Sequence, residues 1–352
     1  MKFKKYLLAA LLIFCEVGCE RQNIIESPNL IKNKGYYLYV GNWGFNEVFI
    51  VDTDSNAVVD TLRGFGSVWD LTVTKSGKKL FICTRDDVPP DYAGKIFSLD
   101  LKTKEVKVIH NEISDVFVSP NGVVFVISYS YNAGSSQGSV GIIDTLTDAI
   151  TLFDTLDIRD TRHNYQSMVF DKNRPQLYAV NNNKRLFAYN YDNKKVVRVY
   201  QNLFDPLRMV ISPDGKFVYV AGGPVFDLER DSVIAWVGGN QLGSLALSPG
   251  GEYLYITDPG GYMRLEPVPT GKIIIFQTTT NNYVGEIDVN KAVPFGHGNQ
   301  TDRIVLTPDG KTAYVSNWLH LIFVIDLQAK EVVKVINIPS SSTIPMALGL
   351  KQ

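Results

Sequence analysis

This 352-residue chain is poor in the residues from which most catalytic and cofactor sites are built. Of its three cysteines, only Cys19 and Cys83 lie beyond a leader-like N-terminus. Cys19 and Cys83, far apart in sequence, show no metal-ligand spacing, and the lack of Cys-x-x-Cys-His argues against covalent c-type haem. The four histidines, His110, His163, His297 and His320, are isolated from one another and lack metal-ligand spacing. No glycine-rich phosphate loop is present, because Gly64-Phe65-Gly66 leads from one strand pattern into another rather than into a helix. Charge of one sign is missing too. Lys and Arg total 35 against 36 acidic residues, and this balance argues against nucleic acid as a partner. The longest N-terminal apolar run, Leu7 to Phe14, is far short of the roughly 20 residues needed to cross a bilayer.

What is present begins with that run. Lys2, Lys4 and Lys5 precede it and Val17-Gly18-Cys19 follows, the order of a basic segment, an apolar segment and a cleavage site. Gly18-Cys19 resembles a bacterial lipobox, although Glu16 stands where that motif has an aliphatic residue. We expect residues 1–18 to be a lipoprotein-type signal peptide, Cys19 the lipidated residue and 19–33 a polar tether. Export to the cell envelope, with membrane contact through the lipid anchor only, follows from that expectation. Cys83, in the apolar run Leu80-Phe81-Ile82-Cys83, reads as a small core residue.

A repeat decides the fold of residues 34–352. Residues 209–220 read MVISPDGKFVYV, with relatives starting at Leu71, Val116, Leu245 and Ile304 and a degenerate copy at Met168. Each is an alternating strand, a Pro- and Gly-containing turn, and a second strand. The turn anchors Gly35, Gly77, Gly122, Arg174, Gly215, Gly251 and Gly310 recur at a spacing near 40 residues, as in a propeller of four-stranded blades. The first anchor has no inner strand before it. The segment from Ile344 to Leu350 supplies one, so the expectation is an all-β, seven-bladed β-propeller closed by its C-terminal strand within blade 1. Residues 304–336 resemble the YVTN-type propeller repeat. That resemblance implies a place among the quinoprotein amine dehydrogenase-like and lactonase-like propellers, and implies no single activity.

Strand order sorts the loops onto two faces. One face, the bottom, has tight turns whose Asp and Asn residues are explained by turn chemistry. The other, the top, receives the long excursions near 84–94, 129–139, 154–164, 222–231, 257–271 and 288–300. All four histidines fall there, together with Trp43, Trp69 and Trp318. Trp, Tyr and Arg carry much of the energy of recognition. The ligand-binding candidates are therefore Trp43, Trp69, Asp70, Arg85, Asp115, His163, Gln166, Arg208, Arg264, His297, Asp302, Arg303, Trp318 and His320, with Trp43 and Trp318 expected to form a paired aromatic wall. Blade 5 looks compressed, and its outer strand is not assignable from the pattern. The expected function is binding of a partner protein, a glycan or a small polar ligand on the top face, with no cofactor or metal predicted. Two alternatives stand beside it: a lactonase- or lyase-like enzyme using Asp70, Asp115, His163, His297 and Asp302, and a quinoprotein-like redox module.

Overall fold

The computed structural model describes residues 35–352 apart from 45, 87–92, 119–121, 133–134, 157–167, 172–173, 182–184, 194, 201–207, 239–242, 259–260, 264–265, 269–270, 294–300, 318–319, 340–342 and 352. The leader, Cys19, the tether, His163, Gln166, Arg264, His297 and Trp318 lie outside the described residues.

Seven four-stranded antiparallel sheets form a seven-bladed β-propeller. Blade 2 shows the plan: inner strand Val68–Val73, second strand Lys79–Asp86, third strand Ala93–Asp100 and outer strand Val106–His110. A hydrophobic cluster fills each space between neighbouring blades. Between blades 7 and 1, for example, Tyr314, Ile322 and Val324 pack against Leu38, Val40 and Phe49. Strand alternation explains these clusters, because side chains on opposite faces of one strand enter two different interfaces. In blade 1, Leu38 and Val40 face blade 7, whereas Tyr39 faces blade 2.

The ring closes as the repeat pattern predicted. Strand Thr343–Leu350 pairs with Tyr36–Asn42 in the register Leu38↔Leu348 and Val40↔Met346. A polar clasp follows the last strand. The Lys351 amide donates to the Gly35 carbonyl at 2.6 Å, and its ammonium reaches Asp52 and Asp54 at 2.9 and 2.8 Å. The Asp52 carboxyl loses some solvation there, but the hydrogen bonds from Lys351 and the turn amides prevail and hold it below its usual range.

The bottom face is turn chemistry throughout. Asp52, Asp100, Asp144, Asn190, Asp227 and Asp326 each accept turn amides with a side-chain oxygen. Asn56, Lys104, Asp148, Asp231 and Lys330 take the left-handed conformation at five of these turns, and Asn281 does so at the turn after Gln277. Every blade also has a bulge between its third and outer strands, at Ile50/Val51 in blade 1 and Val324/Ile325 in blade 7. This recurring bulge belongs to the repeat itself.

Blade 5 departs from expectation. Its third strand is Gly223–Asp227 and its outer strand Ser232–Val237, joined to the second strand, Phe217–Val220, by only Ala221 and Gly222. The supposed top excursion at 222–231 is instead a strand followed by a bottom turn. Pro224 lies within the third strand, opposite Trp236. The excursion at 257–271 does exist and carries a small hairpin, Gly261–Met263 with Glu266–Val268.

Candidate functional site

The top of the ring differs from the bottom in one backbone feature. Blades 7, 1 and 2, which are consecutive, each have an additional bulge between inner and second strands. Asp302 and Arg303 bulge opposite Ser316, Ile344 and Pro345 opposite Gly41, and Trp69 between Val68 and Asp70. Bulges re-aim side chains and gather beside functional sites. Blade 3 pairs its inner and second strands without such a shift, from Ile113↔Tyr129 to Val118↔Val124, so the bulge is not part of every blade.

Trp69, Asp302 and Arg303 of these segments meet at the channel mouth. Trp69 donates its indole N–H to Asp115 Oδ1 at 3.0 Å, linking the inner strands of blades 2 and 3. The Arg85 guanidinium lies over the Trp69 ring, 5.3 Å from its centroid. Trp43 meets Trp69 nearly at right angles, with centroids 5.2 Å apart. Trp43 thus has an aromatic partner in blade 2; the wall expected between Trp43 and Trp318 falls outside the described residues. Arg85 belongs to strand Lys79–Asp86 and places its cation over an aromatic face.

Deeper in the mouth, Asp70, Arg208, Asp302 and Arg303 form a charged cluster. Arg208 Nη2 lies 3.7 Å from Asp302 Oδ1, with only 14% and 11% of the two side chains exposed. Burial pushes the Asp70 carboxyl above its usual range, and the charges of Arg303 and Arg208 with the amides of Leu71 and Val116 offset this only in part. Burial and the neighbouring Arg303 push Arg208 down to about 9, against the pull of Asp302, Asp70 and Asp115. Nε and Nη1 of Arg208 and Nε of Arg303 are buried without a hydrogen-bond partner among the described residues. The Cys83 thiol is also close; burial and then the negative charges of Asp70 and Asp115 push it well up, as befits a core residue and not a nucleophile.

The cluster is held from behind. Thr257 Oγ1 donates to the Asp302 carbonyl at 2.7 Å, and the Arg303 amide donates to Ser316 Oγ at 3.3 Å, so both neighbouring strands pin the blade 7 bulge. Thr301 Oγ1 adds a bond to the Asp258 carbonyl at 3.0 Å. Sequence reading missed Thr257 and Ser316, whose hydroxyls have no local pattern to mark them.

Other candidates stand apart. His320 lies in a turn where Asn317 Oδ1 accepts its amide at 3.0 Å, and no described contact joins it to the cluster. His110 ends an outer strand, 3.6 Å from Glu112. Residues 134–138 read Gly-Ser-Ser-Gln-Gly, the spacing of a nucleophile elbow, but Ser136 is in a strand paired with Tyr131 and not at a strand-to-helix turn. Among the described residues, no three His, Cys, Asp or Glu side chains gather as a metal-holding group. A concavity of about 610 Å³ between blades 6 and 7 is lined by Glu286, Asp288, Lys291, Lys330 and Glu331. It lies far from the mouth in the fold and lacks aromatic side chains, so the mouth is the stronger site.

Fold and site together define a seven-bladed β-propeller with a charged, Trp-walled channel mouth. No protein-family model matches the chain, and no curated protein matches it significantly. Solved structures do resemble it. A functionally unknown protein from Desulfotomaculum acetoxidans DSM 771 superposes with a TM-score of 0.65 at 11% identity, over 90% of this chain and 99% of that one. Dihydro-heme d1 dehydrogenase NirN in complex with DHE gives 0.58 at 15% identity, over 89% and 66%. Kuenenia stuttgartiensis hydrazine synthase gives 0.57 at 16%, over 74% and 77%. At such identities the likeness shows the fold alone.

Proposed function

We propose that this protein is an envelope-tethered binding propeller that takes a glycan or small polar ligand at the channel mouth between blades 7, 1 and 2. The observation that carries this reading is the run of three inner-strand bulges. They bring Trp69, Asp302 and Arg303 to one mouth that Trp43, Asp70, Asp115 and Arg208 complete. The right-angled Trp43–Trp69 corner suits the flat face of a sugar or other ring, and the charged floor suits its polar substituents. The tether rests on the basic and apolar N-terminus ending in Gly18-Cys19.

A thermal-shift screen against neutral and charged glycans tests the reading. A ligand present at 100 times its dissociation constant should add about 2.7 kcal/mol to stability. The shift should fall sharply in Trp43→Ala, which removes one wall and leaves the Trp69–Asp115 bond in place. Equal shifts in both proteins would place the ligand elsewhere. In the same preparations, wild type should partition with membranes and Cys19→Ser should not; unchanged partitioning would remove the tether. A lactonase- or lyase-like reading would draw on the carboxylates of the same mouth, whereas a redox reading rests on fold likeness alone.

A further inference from the structure

Asp70, Asp115 and Asp302 meet Arg208 and Arg303 at the mouth. Asp115 accepts the indole N–H of Trp69. The amides of Leu71 and Val116 favour the charged form of Asp70. Asp302 meets Arg208 only at 3.7 Å, beyond hydrogen-bond length. Guanidiniums can only donate. Arg208 has two buried nitrogens without a partner among the described residues and Arg303 has one. The two cations are also close enough that Arg303 is the largest charge acting against the proton on Arg208. Two neighbouring forks with unmet donors in a desolvated mouth are short of a hydrogen-bond acceptor, and a group with two oxygens fits a fork best.

We propose that the mouth holds an oxyanion, a carboxylate or phosphate group, between Arg208 and Arg303, with the ring that bears it seated in the Trp43–Trp69 corner. The inference rests on the binding reading above and assigns the chemical class of its ligand. The bulge at Asp302–Arg303 then has a purpose beyond geometry: it brings a second guanidinium beside Arg208, and Thr257 and Ser316 fix it there before any ligand arrives. Asp70 and Asp302 hold the two cations together when the oxyanion is absent, which keeps the paired charges from unfolding the mouth.

The probes are glucuronate, glucose, inorganic phosphate and chloride, compared at equal ionic strength by the melting midpoint of the full-length protein. Glucuronate should raise the midpoint saturably and chloride should not, with glucose well below glucuronate. Phosphate tests the alternative source of the oxyanion: a saturable phosphate shift larger than that of glucuronate assigns the group as phosphate, and the reverse order assigns it as carboxylate. Arg208→Lys and Arg303→Lys keep the charge but lose the fork, and each should weaken the responding anion about tenfold. Their unliganded midpoints verify that both variants are folded. Trp43→Ala should weaken glucuronate and leave phosphate unchanged. If neither anion exceeds chloride, or if both Lys variants bind as wild type does, the oxyanion inference is overturned. Should glucose alone shift the wild type and not Trp43→Ala, the binding reading stands without it. Should no probe or screened glycan shift the wild type, both fall.

Discussion

A chain ended at Ser342 should fail to fold. The deletion removes Thr343–Leu350, the inner strand of blade 1, together with Lys351. Three kinds of interaction go at once. The inner edge of Tyr36–Asn42 loses its whole ladder, from Tyr36↔Leu350 to Asn42↔Thr343, and becomes an open edge in the middle of the ring. Pro345, Met346 and Gly349 leave buried positions, and Leu348 leaves the cluster between blades 7 and 1. The clasp of Lys351 on Gly35, Asp52 and Asp54 is lost as well. A buried Met alone contributes about 2–5 kcal/mol, and a whole domain is stable by only about 5–15 kcal/mol. We therefore expect the truncated chain to elute as aggregate and to show no cooperative melt by circular dichroism. A cooperative melt near that of the full chain would mean that the ring does not depend on its last strand.

That strand was legible in the sequence because a repeat array makes a missing element visible. Seven anchors with one lacking an inner strand, and one spare strand at the far end, admit a single closure. The bottom face was legible for a related reason: Asp-Gly and Asn-Gly turns state their backbone conformation locally, and Gly122, Gly215 and Gly310 all take positive φ. Blade 5 was less legible. The excursion expected near 222–231 contains Pro224, and a Pro inside a strand removes a ladder donor and ordinarily argues against a strand there.

The site was half legible. Trp69, Asp70, Asp115, Arg208, Asp302 and Arg303 were among the top-face candidates, and the structure gathers these six at the mouth. What could not be read was register. A bulge adds one residue without a composition of its own, yet it decides which way the following side chains point. Hence the contact of Trp43 with Trp69 was not foreseen, because it follows from the bulge at Trp69. The hydroxyl of Thr257 escaped for the same reason. Its partners, Ser244 and the Asp302 carbonyl, lie in its own blade and the next, 13 and 45 residues away in sequence.

Gly41→Val should be the most damaging single substitution near the site. Gly41 sits near the top of Tyr36–Asn42 with an ordinary strand conformation, so backbone freedom is not what requires a glycine there. Space is. A Cβ at this position would lie 2.5 Å from Pro345 Cγ and 2.6 Å from Val68 Cγ1. Neither neighbour can swing away, since one is a closed ring and the other is β-branched, fully buried and packed between blades 1 and 2. Both also belong to the bulged segments, Pro345 in blade 1 and Val68 just before Trp69 in blade 2. The close approach of Gly41 thus lets two bulges nest against one strand. Valine would force them apart at a cost of about 3 kcal/mol, the upper end for overpacking a well-filled core. Because Trp43 follows two residues later and Trp69 one residue after Val68, the same displacement should open their 5.2 Å contact. Urea denaturation should show the lost stability as a lower midpoint with an unchanged slope. In the folded baseline, tryptophan emission should shift to longer wavelength as the corner admits water. Full stability in Gly41→Val would show that the strand can move without cost, and the nested bulges would then not be what shapes the mouth.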